Sequence, residues 1–363
     1  MEKIVYILGA GFSAPLSLPV MSNFLEKSKD MFAQSPTQYS YFKNVFDNIR
    51  DMSYAKNFYE CDLTNIEEIL SILEMQSRFG KKKSKKSFIQ FITDVIEYYT
   101  PDISCKTNDL QKNWYEHLFD TELKKYYGFF IASLVNIQIR NRRVSDHASR
   151  FFELEISAVN EKEFDYTIIT LNYDLIVEKY IALFNCVNRG TQQIVLKRDL
   201  SEDLDAILMT ISKLHGSIDT KNIIPPTWNK VLDTRIQNAW KLAFNLLQTA
   251  NHIRILGYSL PETDSYIKYL LKSSVILTPH LKTIDVICRD NKQKSVQNRY
   301  LSFIDKKILR FVDGSIEEYL KTLYNIQKKN MPNADVGITV FNNLERAHKE
   351  FFDLKNNLAF AVI

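Results

Sequence analysis

Short runs of apolar and β-branched residues recur along this chain, and each ends at a glycine or a cluster of polar residues. The first, Ile4-Val5-Tyr6-Ile7-Leu8, stops at Gly9 and has no polar residue at alternate positions. Such a strand is buried on both faces, as in a parallel sheet covered by helices. Comparable runs return at Tyr166 to Thr170, Ala206 to Leu214, His252 to Leu256, Thr283 to Cys288 and Lys307 to Val312, with helical patterns between them. Parallel strands need crossovers long enough to hold a helix. The expected fold class is therefore α/β: a Rossmann-like, mostly parallel sheet of about five or six strands, with a large helical insertion after the first βα unit.

The insertion covers about residues 21–150, where amphipathic segments dominate and almost no strand-like run occurs. Within it, Thr64-Asn65-Ile66-Glu67 has the capping-box form, followed by Ile66, Ile69, Leu70 and Leu73 at helical spacing. Gly80 and the lysine-rich residues 81–86 read as a solvated helix-helix loop, although such a run could also meet an acidic partner or nucleic acid. Without a Pro/Gly/Ser-rich linker, residues 1–330 read as one domain. The apolar segment 331–363, with Phe351-Phe352, is expected to dock on the body or on a neighbouring subunit.

Composition narrows the class of partner. With 47 Lys and Arg against 43 Asp and Glu, the net charge of +4 is too small to argue for direct nucleic-acid binding. The four cysteines, Cys61, Cys105, Cys186 and Cys288, include no C-x-x-C pair, so neither a zinc ribbon nor a disulfide framework is expected. No run of about 18 apolar residues is present to span a membrane, and Ile4 to Leu8 is too short for a secretory signal. The expected setting is cytoplasmic, with no membrane and no metal. Glycine is the outlier: 9 occur in 363 residues, against roughly 25 at a base rate of ~7%.

Several of those glycines sit at strand ends. Gly9-Ala10-Gly11-Phe12-Ser13-Ala14 matches G-x-G-x-x-[G/A], in which a tight turn lets phosphate approach the backbone at a helix N-terminus; a glycine turn without a ligand is the alternative. Asp30 lies at the distance of a dehydrogenase ribose acid but within a helical pattern, which disfavours that class. Thr170-Leu171-Asn172-Tyr173-Asp174 follows the next strand, where its polar residues either face a ligand crevice or cap the following helix. In Lys213-Leu214-His215-Gly216-Ser217 the histidine is a general-base candidate or a structural residue. Leu256-Gly257-Tyr258-Ser259-Leu260-Pro261-Glu262-Thr263-Asp264 combines close backbone approach at Gly257 with a Ser259/Glu262 capping pattern. Finally, Cys288-Arg289-Asp290-Asn291 either reaches an adenosine ribose or base, or is a plain polar turn. Capping alone does not account for so many such clusters at successive strand ends.

The order G-A-G-F-S, T-L-N-Y-D, L-H-G-S, G-Y-S-L-P-E-T-D resembles the sirtuin-like superfamily, and within it the zinc-free NAD hydrolases of bacterial anti-phage defence. The motifs cover scattered points from Gly9 to about Asn291; Asn65-Ile66-Glu67 and Ile224-Pro225-Pro226-Thr227-Trp228 also look like that branch. The protein deacylases of the superfamily carry two cysteine pairs and continue the first motif as G-I-P-D-F-R; here the chain reads Ser17-Leu18-Pro19-Val20-Met21-Ser22. Their T-Q-N-I-D is T-L-N-Y-D here, with Leu171 and Tyr173 replacing glutamine and isoleucine.

The resemblance implies that residues 1–330 form an NAD-binding catalytic domain that cleaves NAD+, as substrate, into nicotinamide and ADP-ribose. Asn172 would hold ribose hydroxyls or position water, and His215 would act as base toward either. Asp174 would orient these groups or contact nicotinamide. Gly9, Ala10, Gly11 and Ser13 would cradle the pyrophosphate, Thr170 and Gly216 would help form the pocket, and Gly257, Ser259 and Asn291 would reach the adenosine side. The family further implies an NAD-depleting effector that forms a homo-oligomer and is regulated in trans by a partner such as a ring-forming ATPase or an Argonaute-type protein. A zinc-free deacylase, an ADP-ribosyltransferase and a non-catalytic NAD or ADP-ribose sensor are the alternatives.

Overall fold

A computed structural model describes residues 1–55, 62–63, 65–80, 82–105, 114, 118–146, 149–159, 162–198, 206–224, 234, 236–276, 278–329 and 337–360. Its centre is a seven-stranded sheet of β1 (Glu2–Leu8), β4 (Phe164–Thr170), β5 (Ile194–Lys197), β6 (Ile207–Lys213), β9 (His252–Leu256), β10 (Thr283–Cys288) and β11 (Leu309–Asp313). The spatial order is β11-β10-β9-β1-β4-β6-β5, and every neighbouring pair is parallel. The six expected runs all carry strands; the seventh, β5, is a four-residue edge.

The first strand is central because its sequence can be buried on both sides. Ile4, Tyr6 and Leu8 pack into one core while Val5 and Ile7 pack into the other, as the period of two requires. Leu8 is level with Thr170 of β4 on one side and Leu256 of β9 on the other. β4, β5 and β6 therefore lie to one side of β1, and β9, β10 and β11 lie to the other. This reversal leaves a crevice at the carboxyl end of β1, where open α/β sheets place ligands.

One core is covered by α8 (Gln237–Gln248), α9 (Ser265–Val275) and α10 (Ser295–Leu301). The other lies beneath the block α2 (Phe24–Gln34), α3 (Phe42–Ala55), α4 (Ile66–Arg78), α5 (Lys82–Tyr99) and α6 (Glu122–Val135), with α7 (Ile176–Val187), α11 (Ile316–Lys329) and α12 (Leu344–Phe360).

Three expectations change. The stretch read as helical to residue 150 includes a long antiparallel hairpin, β2 (Ile137–Asp146) with β3 (Ser149–Ala158); β12 (Gly337–Val340) adds to its edge. From Lys82 on, the lysine-rich stretch is the start of α5 rather than a loop, with Lys85 ion-paired to Glu74 of α4; Lys81 lies outside the described residues. The cap of α4 is Asn65, whose Oδ1 accepts from the N–H groups of Glu67 at 2.9 Å and Glu68 at 3.2 Å; Thr64 lies outside the described residues.

The segment after β12 is tied to the sheet by charge as well as by Phe341, Leu344 and Phe351. Glu345 takes a two-point hydrogen bond from buried Arg254 of β9 and accepts from Tyr166 at 2.9 Å. His348 meets Tyr319 at 2.9 Å and Asp285 of β10 at 3.0 Å. Asp285 also accepts two bonds from Arg310, each 2.6 Å. The Arg310 and His348 bonds hold its carboxyl below the usual range despite burial.

Candidate active site

The loops that follow β1, β4, β6, β9 and β10 converge on one cavity of about 520 Å³ at the crevice beside β1. The helical block closes it from above with Asn65, Ile66, Glu67 and Ile96. Much of the wall is apolar, from Leu18 to Met21, with Phe24 and Leu171. Glu67, Asp174 and Asp264 line it as carboxylates and Arg289 as a cation.

The glycines first bring the loops together. The Gly9 N–H donates to the Leu256 carbonyl at 3.0 Å and the Gly11 N–H to the Gly257 carbonyl at 2.8 Å. Gly257 has φ +66°, and a Cβ there would lie 2.3 Å from the Phe12 nitrogen and 2.4 Å from the Gly11 carbonyl carbon. Only residues without side chains allow these two backbones to touch. Phe12 N–H is likewise spent on Gly9, at 2.8 Å, and α1 (Ala10–Ser13) is a single turn. The amide donors of Gly9 and Gly11, expected to meet phosphate, are thus engaged within the protein. Ala10, Gly11, Ser13 and Gly257 line the cavity; Gly9 and Gly216 stand behind it. Gly216 serves a tight hairpin between β7 (Gly216–Ser217) and β8 (Asn222–Ile223), since a Cβ would fall 1.5 Å from the Asn222 carbonyl oxygen.

Asn172 joins the first two motifs. Its amide nitrogen donates to the Gly9 carbonyl at 2.9 Å and to Ser13 Oγ at 3.1 Å, and the Gly9 acceptor fixes which end of the amide is nitrogen. With both amide hydrogens engaged, the group can offer a ligand only its Oδ1 as acceptor. Thr170 lies beneath, its Oγ1 accepting from the Asn172 N–H at 3.1 Å. Asp174 lines the cavity and bonds to Ser13, and it also caps α7 through the Ile176 N–H at 3.1 Å. Burial pushes its carboxyl up, opposed by Lys213 and Ser13. Lys213 Nζ holds the Asp174 carbonyl at 2.5 Å and Glu178 at 3.1 Å.

His215 is 3% exposed. Its Nε2 lies 3.4 Å from Asp264 Oδ2, and its Nδ1 lies 3.9 Å from Glu67 Oε1. Its backbone is pinned by the Ile224 N–H on its carbonyl at 3.0 Å. Asp264 precedes α9 yet makes no side-chain cap; it accepts instead from Tyr258 at 2.9 Å and faces the imidazole. The Ser259/Glu262 capping pattern is not used either. Tyr173 places its ring centroid 6.1 Å from that of His215. The Tyr173 hydroxyl is buried with no hydrogen-bond partner among the described residues. Burial, reinforced by Glu67 and Asp264, keeps that phenol protonated well beyond its ordinary range.

Sequence reasoning placed Asn172, Asp174 and His215 here, with Ala10, Gly11, Ser13, Gly257 and Ser259, and the structure brings these to one cavity. Asn291 is exposed and outside the lining, its Oδ1 accepting from Ser295 at the start of α10; Arg289 lines the cavity in its stead. Glu67, Tyr173, Tyr258 and Asp264 were not singled out as site residues. Tyr173 and Asp264 lie inside motifs already noted, whereas no local pattern relates Glu67 to His215.

No protein-family model matches the chain, and no curated protein matches it in sequence. Among solved structures it is similar to that of Sir2Tm bound to a propionylated peptide, at 12% identity and TM-score 0.38, covering 90% of this chain and 93% of that one. It is also similar to the Sir2-p53 peptide-NAD+ structure, at 11% identity and TM-score 0.36, covering 90% and 94%.

Proposed function

We propose that the protein hydrolyses NAD+ to nicotinamide and ADP-ribose. The observation that carries this reading is the pairing, in one cavity at the sheet's switch point, of Asn172, which can present only an acceptor, with buried His215. An acceptor amide suits a ribose hydroxyl, and a histidine beside it suits removal of a proton from that hydroxyl or from water. The Tyr173 hydroxyl supplies a further polar group with no hydrogen-bond partner among the described residues. Because the pyridinium leaves as neutral nicotinamide, the protein has chiefly to orient the ribose and stabilise cationic character at the breaking bond. Glu67, Asp174 and Asp264 give the cavity the right sign for that. Water adds to the ribose carbon, nicotinamide leaves with the bonding pair, and the proton released passes to His215.

The purified protein should release nicotinamide from NAD+ without a lysine peptide. His215→Ala should lose about 10²- to 10⁴-fold, the range of a general base, and Asn172→Ala should fall comparably. Unchanged release in both variants would remove the assignment; release only with an acyl-lysine peptide would favour a deacylase, and tight binding without turnover a sensor. The motif order also motivates a role as the NAD-depleting effector of an anti-phage system, held inactive as a homo-oligomer or by a partner in trans. A solution mass showing a fully active monomer would count against that regulation.

A further inference from the structure

Glu67 reaches His215 from a part of the chain that contributes nothing to the parallel sheet. It stands in the first turn of α4, whose start is fixed by the Asn65 cap, and its carboxylate is 12% exposed. On the opposite edge of the imidazole is Asp264, 2% exposed and held by Tyr258. Asp264 lies at the limit of hydrogen-bond reach of one ring nitrogen, at 3.4 Å, and Glu67, at 3.9 Å from the other, acts on the ring through its charge, which stabilises the imidazolium over the neutral imidazole. Placing a carboxylate near each ring nitrogen therefore favours the protonated form, which is the product of the base step. We propose that Glu67 is a positioning residue that, with Asp264, sets the orientation and proton affinity of His215, so that the helical block completes the catalytic histidine as well as covering it.

Among the described residues, charged and titratable groups face the ring from several elements. Glu67 faces it from α4, Asp264 from the turn before α9, and the Tyr173 and Tyr258 hydroxyls lie nearby from the loops after β4 and β9. Asp174 and Arg289 line the same cavity. Lys213, two residues from His215, is committed to Asp174 and Glu178. Glu67 is the member of this set that belongs to a separate structural block. Since α4 rests on α5, displacement of that pair withdraws a carboxylate from the histidine.

The role given to His215 as base rests on the NAD-hydrolase reading, whereas the coupling to Glu67 can be read without it. In protein labelled at histidine, the His215 resonance is assigned among the six histidines by its loss in His215→Asn and is titrated by NMR. Removing one neighbouring anion in Glu67→Gln should lower the His215 pKa by about one to three units, and Glu67→Asp should restore part of the difference. If Glu67→Gln fails to fold, the Glu67→Asp titration against wild type serves alone, with a smaller downward shift expected. An unchanged titration in the folded variant overturns the proposal. The acid limb of kcat/KM for nicotinamide release should move to lower pH by the same amount. A shifted titration together with nicotinamide release that is unchanged in His215→Asn supports the coupling and refutes the hydrolase reading; release lost in His215→Asn with identical titrations does the reverse.

Discussion

Replacing Gly257 with alanine tests the idea that glycine here is required by contact between two loops. The added Cβ would meet the Phe12 nitrogen at 2.3 Å, the Gly11 carbonyl carbon at 2.4 Å and Gly11 Cα at 2.8 Å. All three are backbone atoms, so no side chain can swing aside. Three costs add: about 1–2 kcal/mol for a side chain at positive φ, about 1–3 kcal/mol for overpacking, and about 1 kcal/mol for weakening the bond from Gly11 N–H to the Gly257 carbonyl. The expected loss is about 3–6 kcal/mol. Gly80 is the control: its φ is +102°, but nothing lies within 4 Å of its missing Cβ. Its alanine variant bears the conformational cost, partly offset by the unfolded chain's smaller entropy, for a net of about 1 kcal/mol. Urea unfolding of both variants, analysed with a common m-value, reads the difference directly. Nicotinamide release should fall with Gly257→Ala and not with Gly80→Ala, because only the former separates the loops carrying Ser13 and Ser259. Two variants within about 1 kcal/mol of each other would refute the steric argument.

Three further outcomes are expected. Burial, helped by the charge of Arg254, lowers the His348 pKa to about 4, below its ordinary 6.5. The unfolded chain therefore takes up a proton between about pH 6.5 and 4 that the native chain refuses, and stability falls by roughly 3 kcal/mol as pH drops through that window; urea midpoints for wild type and a flatter His348→Gln measure it. Glu345→Ala leaves Arg254 buried without its two-point partner and should cost about 3–5 kcal/mol, while Arg254→Met with Glu345→Leu should regain most of it in calorimetry. Asn172→Asp sets a carboxylate against the Gly9 carbonyl, so activity should fall at least as far as in Asn172→Ala despite the retained shape; near-wild-type release would show that the amide donors do not matter.

The central strands were legible because burial on both faces leaves largely apolar, β-branched runs, uninterrupted in Ile4 to Leu8. The hairpin escaped because Gln138, Arg140, Arg142 and Arg143 interrupt its apolar residues, and a half-solvated ribbon inside a helical stretch has little contrast. The lysines of α5 resembled a loop because sequence cannot show Glu74 waiting on the neighbouring helix. At the site, residues following strands were legible because the sheet orders their loops in space. Glu67 was not, since its distance from His215 depends on how α4 is carried over the crevice. Asn291 lies outside the cavity lining while Arg289, in the same polar turn, lies within it, because Asn291 turns its Oδ1 to the Ser295 N–H.

The central position of β1 bears on how the protein is made. Its hydrogen-bonded neighbours begin only at residues 164 and 252. At about 5–20 residues per second of synthesis, a largely apolar strand waits roughly ten to fifty seconds for both. During that interval it is a candidate for chaperone capture, and pairing so distant in sequence is intrinsically slow. The loop after β10, which brings Arg289 to the cavity wall, arrives later still, so the cavity cannot be complete on the ribosome until that residue has emerged. A nascent chain released early would carry the glycine motif and the asparagine motif yet have no closed pocket, so the site comes into being late in synthesis.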